Sequence, residues 1–121
     1  MGSVQGCRIV QITIAVDSQP ESIRFYEEAF GVTFDEAYSH FQFGIWPSDQ
    51  FFLLTLDQRE PGNESPGPSR FGFLVDDLES VHRRALAAGA TEVDPPHDVT
   101  AQPRPSCIGD PSGNTIFLYQ S

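Results

Sequence analysis

Hydrophobic and polar residues follow the same order twice along the chain. The stretch "RIVQITIAVD" (8–17) places an apolar residue at every second position, and "RFGFLVDD" (70–77) repeats this alternation. Such a pattern is typical of strands with one buried face. Each stretch is followed by a helical pattern and then by three short strand-like runs. The sequence therefore predicts two β-α-β-β-β modules.

Both predicted helices carry start and end signals. The first, "SQPESIRFYEEAFG" (18–31), begins at an N-cap, Ser18, and ends at Gly31, and the second, "DLESVHRRALAAG" (77–89), begins at Asp77 and ends at Gly89. The first helix is expected to bury Ile23, Tyr26 and Phe30, with Glu27 on the same face. The second is expected to bury Leu78, Val81, Ala85 and Leu86 and to keep His82 on its polar side.

The remaining strands are predicted from short apolar runs between turn residues. They are expected near 32–37, 39–46, 51–57, 91–94, 104–109 and 114–120. The fold class is α+β, with one domain over residues 1–121. Module 1 covers about 7–57, a Pro/Gly/Ser-rich linker covers 58–69, and module 2 covers about 70–121. In the last strand, Thr115, Phe117 and Tyr119 share one face.

Composition and charge exclude several classes of partner. Seven arginines and no lysines stand against 17 acidic residues, which gives a net charge of −10. Such a chain is poorly suited to neutralising phosphates, so we expect neither nucleic acid nor a membrane surface as partner. No apolar run reaches the ~20 residues that span a bilayer, and no secretory signal is recognisable. Cys7 and Cys107 lack metal-ligand spacing and are interpreted as reduced thiols in a cytoplasmic protein.

Three motifs resemble those of a known family. They are "QITIAVDSQPESIRFYEEAFGVTF", "FGFLVDDLESVHRRALAAGA" and "RPSCIGDPSGNTIFL". Over residues 8 to 120 the chain resembles the vicinal oxygen chelate superfamily, which includes glyoxalase I, extradiol dioxygenases and bleomycin-resistance proteins. The resemblance implies paired βαβββ modules whose sheets curl around a cavity. It also implies a homodimer with the cavity at or near the interface.

The resemblance further implies where a metal would bind in the enzymes of this family. Four ligands stand on the first and last strands of the two modules. They correspond here to Gln11, to a residue within "FFLLTL" (51–56), to Arg70 and to Phe117. Because Arg70 stays protonated and Phe117 has no donor atom, this set does not suit a divalent cation. We therefore predict no metal and no cofactor.

The positions left without metal ligands suggest a ligand-binding cavity instead. We expect Thr13, Leu74, Phe117 and Tyr119 as its walls, Gln11 and Arg70 as polar contacts, Arg104 at its rim, Trp46 as a stacking ring and His40 as a further candidate. Arg70 and Arg104 could instead form salt bridges with acids, and His40 could be a partly exposed strand residue. His97 is a candidate for a loop that closes over the cavity, and Cys107 is expected to be a small buried residue.

Three functions remain open on this sequence. The first is a metal-independent protein that binds an apolar, planar small molecule, such as an antibiotic, at a dimer interface. The alternative is a glyoxalase-like lyase or isomerase, or a dioxygenase-type enzyme, with divergent site residues. The third is a structural or regulatory interaction module. The fold alone does not decide among them, because function resides in the site.

Overall fold

The computed structural model describes residues 6–7, 9–38, 41–45, 53–97 and 105–121, and these form two βαβββ modules. The elements of module 1 are β1 (Gln11–Val16), α1 (Gln19–Phe30), β2 (Thr33–Tyr38), β3 (Phe41–Ile45) and β4 (Leu53–Gln58). Those of module 2 are β5 (Arg70–Val75), α2 (Leu78–Ala87), β6 (Thr91–Asp94), β7 (Ser106–Gly109) and β8 (Thr115–Gln120). The predicted α+β class and order of elements are confirmed.

Each module contributes one four-stranded mixed sheet. The first sheet has the order β1-β4-β3-β2 and the second has the order β5-β8-β7-β6. In both, the first and last strands of the module pair in parallel, and the other pairs are antiparallel. This arrangement places the two strands named by the family resemblance side by side within each sheet.

The hydrophobic core lies between the sheets and the helices, and α1 also packs against α2. On β1 and β4 the core face carries Ile14, Val16, Leu54 and Leu56, all at most 1% exposed. On β8 it carries Ile116 and Leu118, which are fully buried. The alternation predicted from the sequence is confirmed on these strands.

The caps of α1 follow the prediction, but its buried face is rotated. Ser18 accepts from the backbone of Glu21, and Gly31 ends the helix with a left-handed φ of 73°. The buried residues are Ser22, Phe25, Tyr26 and Ala29, whereas Glu27 is exposed. The first helix therefore inserts two aromatic rings, Phe25 and Tyr26, at 5.0 Å between centroids, and the prediction had missed Phe25.

The prediction that His82 lies on the polar side of α2 is wrong. Its side chain is 2% exposed and hydrogen-bonds at both ring nitrogens. Nδ1 lies 2.8 Å from Ser106 Oγ on β7, and Nε2 lies 2.9 Å from a carboxylate oxygen of Glu92 on β6. Because Ser106 is completely buried, its hydroxyl cannot reach a substrate. This trio joins α2 to its own sheet and is structural.

The turn at 110–114 fastens module 2 to module 1. Asp110 Oδ1 accepts from the backbone N–H of Asn114, and Asp110 Oδ2 accepts from the phenol of Tyr26 at 2.7 Å. The amide of Asn114 donates to Ala15 O at 3.0 Å, and its oxygen accepts from the backbone of Ser69 at 2.8 Å. Asp110 and Asn114, which are typical turn residues by sequence, thus form a buried polar link between the two modules.

A second polar feature is repeated in each module. The last residue of β4, Gln58, accepts from the backbone N–H of Gln19 at the start of α1 at 2.8 Å. Gln120, which ends β8, accepts in the same way from the N–H of Leu78 at the start of α2 at 2.9 Å. Each helix start is therefore held by the final strand of its own module.

The segment between the modules is mostly exposed, but one of its residues is anchored. Arg59 is 8% exposed, forms an ion pair with Asp17 at 2.9 Å, and donates to Pro66 O at 2.8 Å. In the described part of the chain, no helix is long and apolar enough to cross a membrane.

Candidate functional site

Each sheet has one face turned away from the helices, which we call its helix-free face. The register and the alternation of side chains define these faces. On the first sheet the face carries Gln11, Thr13, Leu53 and Thr55. On the second sheet it carries Arg70, Gly72, Leu74, Thr115, Phe117, Tyr119 and Cys107.

The helix-free face of the first sheet is polar near its centre. Gln11 Nε2 donates to Thr55 Oγ1 at 2.8 Å, from β1 to the neighbouring β4. Thr55 is 1% exposed, whereas Gln11 and Thr13 are exposed. Thr13 and Thr55 are Cα partners in the register. Gln11 thus already uses one amide hydrogen within the protein, which the sequence did not reveal.

The helix-free face of the second sheet is mostly apolar beyond its first row, Arg70 and Thr115. Gly72, Phe117 and Cys107 form one cross-strand row, and Leu74 and Tyr119 form the next. Leu74 is 72% exposed and Tyr119 is 47% exposed. A Cβ added to Gly72 would lie 2.9 Å from Tyr119 Cε2, so the tyrosine ring lies against the bare backbone of β5. Gly72 thus shapes this face, and the sequence-based list of candidate residues did not include it.

Arg70 is the first residue of β5 and belongs to the same helix-free face. Its side chain is exposed, and it forms no hydrogen bond or ion pair with any residue in the described ranges. The salt-bridge alternative therefore finds no support within those ranges. Its charge acts on Cys107, which is 6% exposed. Burial raises the pKa of the Cys107 thiol, the Asp94 carboxylate raises this pKa further, and Arg70 lowers it.

The predicted burial of Cys107 is confirmed. Because the net shift is upward, the group is a neutral thiol at neutral pH and adds no charge to this face. Beyond it on β6, Asp94 lies 2.9 Å from a ring nitrogen of His97. His97 thus has a partner at the end of β6, and its role in a closing loop stays a prediction.

Three predicted site residues, His40, Trp46 and Arg104, lie outside the described residues. Of the other six, the structure brings Arg70, Leu74, Phe117 and Tyr119 together on one face. Gln11 and Thr13 share the corresponding face of the other sheet. That all of them line a single cavity stays a prediction.

The four positions implied by the resemblance can now be tested for fit to a metal. Gln11 and Arg70 both begin the first strand of a module, and Thr55 and Phe117 both hold the third position of a last strand. They supply an amide, a guanidinium, a hydroxyl and a phenyl ring, a set without carboxylate or imidazole that does not suit a divalent cation. Among the described residues, no group of three or more His, Cys, Asp or Glu side chains could hold a metal ion.

A polar recess lies away from both predicted clusters. It has a volume of about 190 Å³ and lies where β4 runs into the linker. It is lined by Asp57, Gln58, Arg59, Glu60, Asn63, Ser65 and Pro66. None of the predicted ligand-binding residues contributes to it.

The chain folds as two βαβββ modules, each with one four-stranded mixed sheet. A family model for the Glyoxalase/Bleomycin resistance protein/Dioxygenase superfamily matches residues 8–118. The chain therefore belongs to this superfamily. A search of curated proteins found no match.

Solved structures agree on the fold. A glyoxalase-related enzyme from Fulvimarina pelagi is 19% identical with a TM-score of 0.76, over 98% of this chain and 89% of that one. A superfamily member from Sphaerobacter thermophilus is 18% identical with a TM-score of 0.74, over 98% and 100% of the two chains. A virulence protein from Salmonella typhimurium is 25% identical with a TM-score of 0.70, over 94% and 96%. At such identities the first two matches establish the fold alone.

Proposed function

We propose that this protein is a metal-independent small-molecule binding protein that holds an apolar, planar ligand, such as an antibiotic, at a dimer interface. The observation that carries the proposal is Phe117. By the family resemblance it corresponds to the position where the family's enzymes place a chelating carboxylate, and it is the cross-strand partner of Gly72 on the helix-free face. Aromatic surfaces with few polar contacts are typical of small-molecule sites.

The exposed apolar residues support a second copy of the chain as partner. Leu74 and Tyr119 are cross-strand neighbours and remain 72% and 47% exposed in the single chain. Contiguous apolar surface of this kind marks interaction sites. A dimer that covers this edge of the second sheet would convert an open face into a closed cavity. Sedimentation at micromolar concentration should therefore give a dimer, and a monodisperse monomer would contradict this part of the proposal.

Truncation of Phe117 tests the binding function directly. In Phe117→Ala, a neutral aromatic probe such as naphthalene methanol should bind roughly tenfold to a hundredfold more weakly, because full burial of such a ring contributes ~1.5–3 kcal/mol. Calorimetric titration measures the change. Ile9→Ala removes an exposed apolar side chain outside the strands and serves as the control. Equal affinities in the wild type and Phe117→Ala would remove Phe117 from the site.

The alternative is an enzyme of the same fold, either a lyase or isomerase without metal or a metalloenzyme with relocated ligands. The exposed Gln11 amide and Arg70 guanidinium are polar groups that such a reaction could use. Native mass spectrometry with metal analysis tests the metalloenzyme alternative. One equivalent of a transition metal after purification without chelator would favour the metalloenzyme and overturn the binding-only proposal.

A further inference from the structure

Arg70, the first residue of β5, adds a chemical constraint to the proposed site. Most charged side chains of this protein are acidic, with 17 acids against seven arginines. Arg70 is nevertheless exposed without an ion pair to any acid in the described ranges, on the same face as Phe117. An arginine left free in such surroundings has its full fork of donors available for a planar anion.

We propose that the helix-free face of the second sheet binds a planar aromatic carboxylate, with Arg70 on the carboxylate and Phe117 and Tyr119 beside the ring. This inference rests on the proposed function and names the chemical class of its ligand. The charge complementarity comes from Arg70, and the apolar complementarity comes from the two rings of β8.

The register gives the required distances. Arg70 and Gly72 are two residues apart on β5, so their Cα atoms lie roughly 7 Å apart along the strand. Phe117 is the Cα partner of Gly72 on the adjacent strand, and Tyr119 is the partner of Leu74 one row further. The cation therefore lies at one end of the apolar rows rather than among them. A ligand with an acid group on the edge of an aromatic ring system matches this order.

Gly72 makes the apolar surface accessible to a flat ligand. Because it has no side chain, the Tyr119 ring lies within 2.9 Å of where a Cβ would stand, and Phe117 Cβ lies within 3.4 Å of that point. A larger residue at 72 would displace the Tyr119 ring from the strand. The absence of this one side chain thus lets the tyrosine ring lie against the backbone of β5.

Two other ionisable groups, Cys107 and Asp94, lie in the Phe117 row of this sheet. Cys107 is a neutral thiol, because burial and Asp94 raise its pKa more than Arg70 lowers it. The Asp94 carboxylate lies two strands from Phe117 in the same row and is 2.9 Å from His97. The remaining negative charge of the chain is screened over roughly 8 Å at physiological ionic strength. Arg70 and Asp94 lie on opposite edge strands of the sheet, β5 and β6, so a ligand carboxylate at the β5 edge would be nearer to the guanidinium than to Asp94.

A set of three naphthalene probes that differ only in charge tests the inference. Naphthalene carboxylate, naphthalene methanol and naphthalene methylamine are titrated calorimetrically into the wild type, Arg70→Gln and Arg83→Gln. Arg83 is exposed on α2, so its variant changes the net charge equally without touching the face. Circular dichroism checks that each variant is folded.

The wild type should bind the carboxylate roughly tenfold to a hundredfold more tightly than the alcohol, as expected for charge-assisted hydrogen bonds. Arg70→Gln should abolish this preference and leave affinity for the alcohol unchanged, while Arg83→Gln should preserve it. Equal binding of carboxylate and alcohol, tighter binding of the amine, or equal losses in the two variants would overturn the inference but leave the proposed function intact. Failure of all three probes to bind the wild type would contradict the proposed function itself.

Discussion

Removal of the Asn114 side chain should weaken the link between the two modules. Asn114 is fully buried, and its amide makes three hydrogen bonds, to Ala15 O, to Asp110 Oδ2 and from the backbone N–H of Ser69. Asn114→Ala deletes all three. It also leaves the Ala15 carbonyl and the Ser69 N–H without this partner in a region from which water is largely excluded.

The size of the effect follows from these contacts. A net contribution of about 1 kcal/mol for each hydrogen bond gives a loss of about 3 kcal/mol in the free energy of unfolding. Leaving a buried backbone group unpaired adds about 1 kcal/mol or more, because its desolvation is no longer compensated. We therefore expect Asn114→Ala to lower the free energy of unfolding by about 3–5 kcal/mol, which is a large share of the stability of a typical domain.

Urea unfolding at one fixed protein concentration measures this loss. The concentration must be held constant because association of copies would add to the apparent stability. Asn63→Ala is the matched control, since Asn63 is exposed in the linker and accepts a single hydrogen bond from Ser65 N at 3.0 Å. Its effect should stay within about 0.5 kcal/mol.

The reasoning would be refuted by a loss below about 1 kcal/mol in Asn114→Ala with an unchanged dependence on urea. Such a result would mean that the 110–114 turn does not hold the modules together. Apolar contacts, such as the packing of α1 against α2 and of Phe30 against Phe73, would then have to hold the halves together.

The two remaining predictions concern ionisable groups. Burial, together with the charge and hydrogen bond of Asp110, raises the pKa of the Tyr26 phenol well above 10.0. The folded state therefore keeps a proton that the unfolded state loses above about pH 10. We expect the free energy of unfolding to fall as pH rises above about 10. Urea unfolding at alkaline pH should show a steeper decline for the wild type than for Tyr26→Phe, and equal slopes would exclude this group as the cause. Iodoacetamide should label the exposed Cys7 quickly and the buried, high-pKa Cys107 only upon unfolding, as followed by peptide mass spectrometry. Equal labelling rates in the folded protein would disprove the burial of Cys107.

The sequence predicted those parts of the fold that depend on local signals. The Ser18 and Asp77 caps and the left-handed Gly31 were correct, because each acts through backbone groups a few residues away. Strand alternation likewise placed Phe117 on the face opposite Ile116, since successive side chains on a strand point to opposite faces.

What could not be predicted depends on residues distant in sequence. His82 was assigned to the polar side of its helix because its type is polar, but its partners Ser106 and Glu92 are 24 and 10 residues away. At the site, the bond between Gln11 and Thr55 spans 44 positions and exists only once the parallel register of β1 and β4 is set. The contact of Tyr119 with Gly72 could not be predicted from the sequence for the same reason.

The glutamines that end β4 and β8 have a consequence for how such a protein acquires new specificities. Gln58 and Gln120 fix each helix start through backbone amides, and neither lies among the side chains of the helix-free faces. Arg70 and Leu74 are exposed, so their replacement removes little buried contact. Residues on the face where a ligand is proposed to bind therefore tolerate substitution best. The hydrogen bonds that orient the helices are not affected by such substitutions. If the helix-free face binds ligands as proposed, single mutations can change its specificity at small cost to folding, which is the physical condition for evolvability.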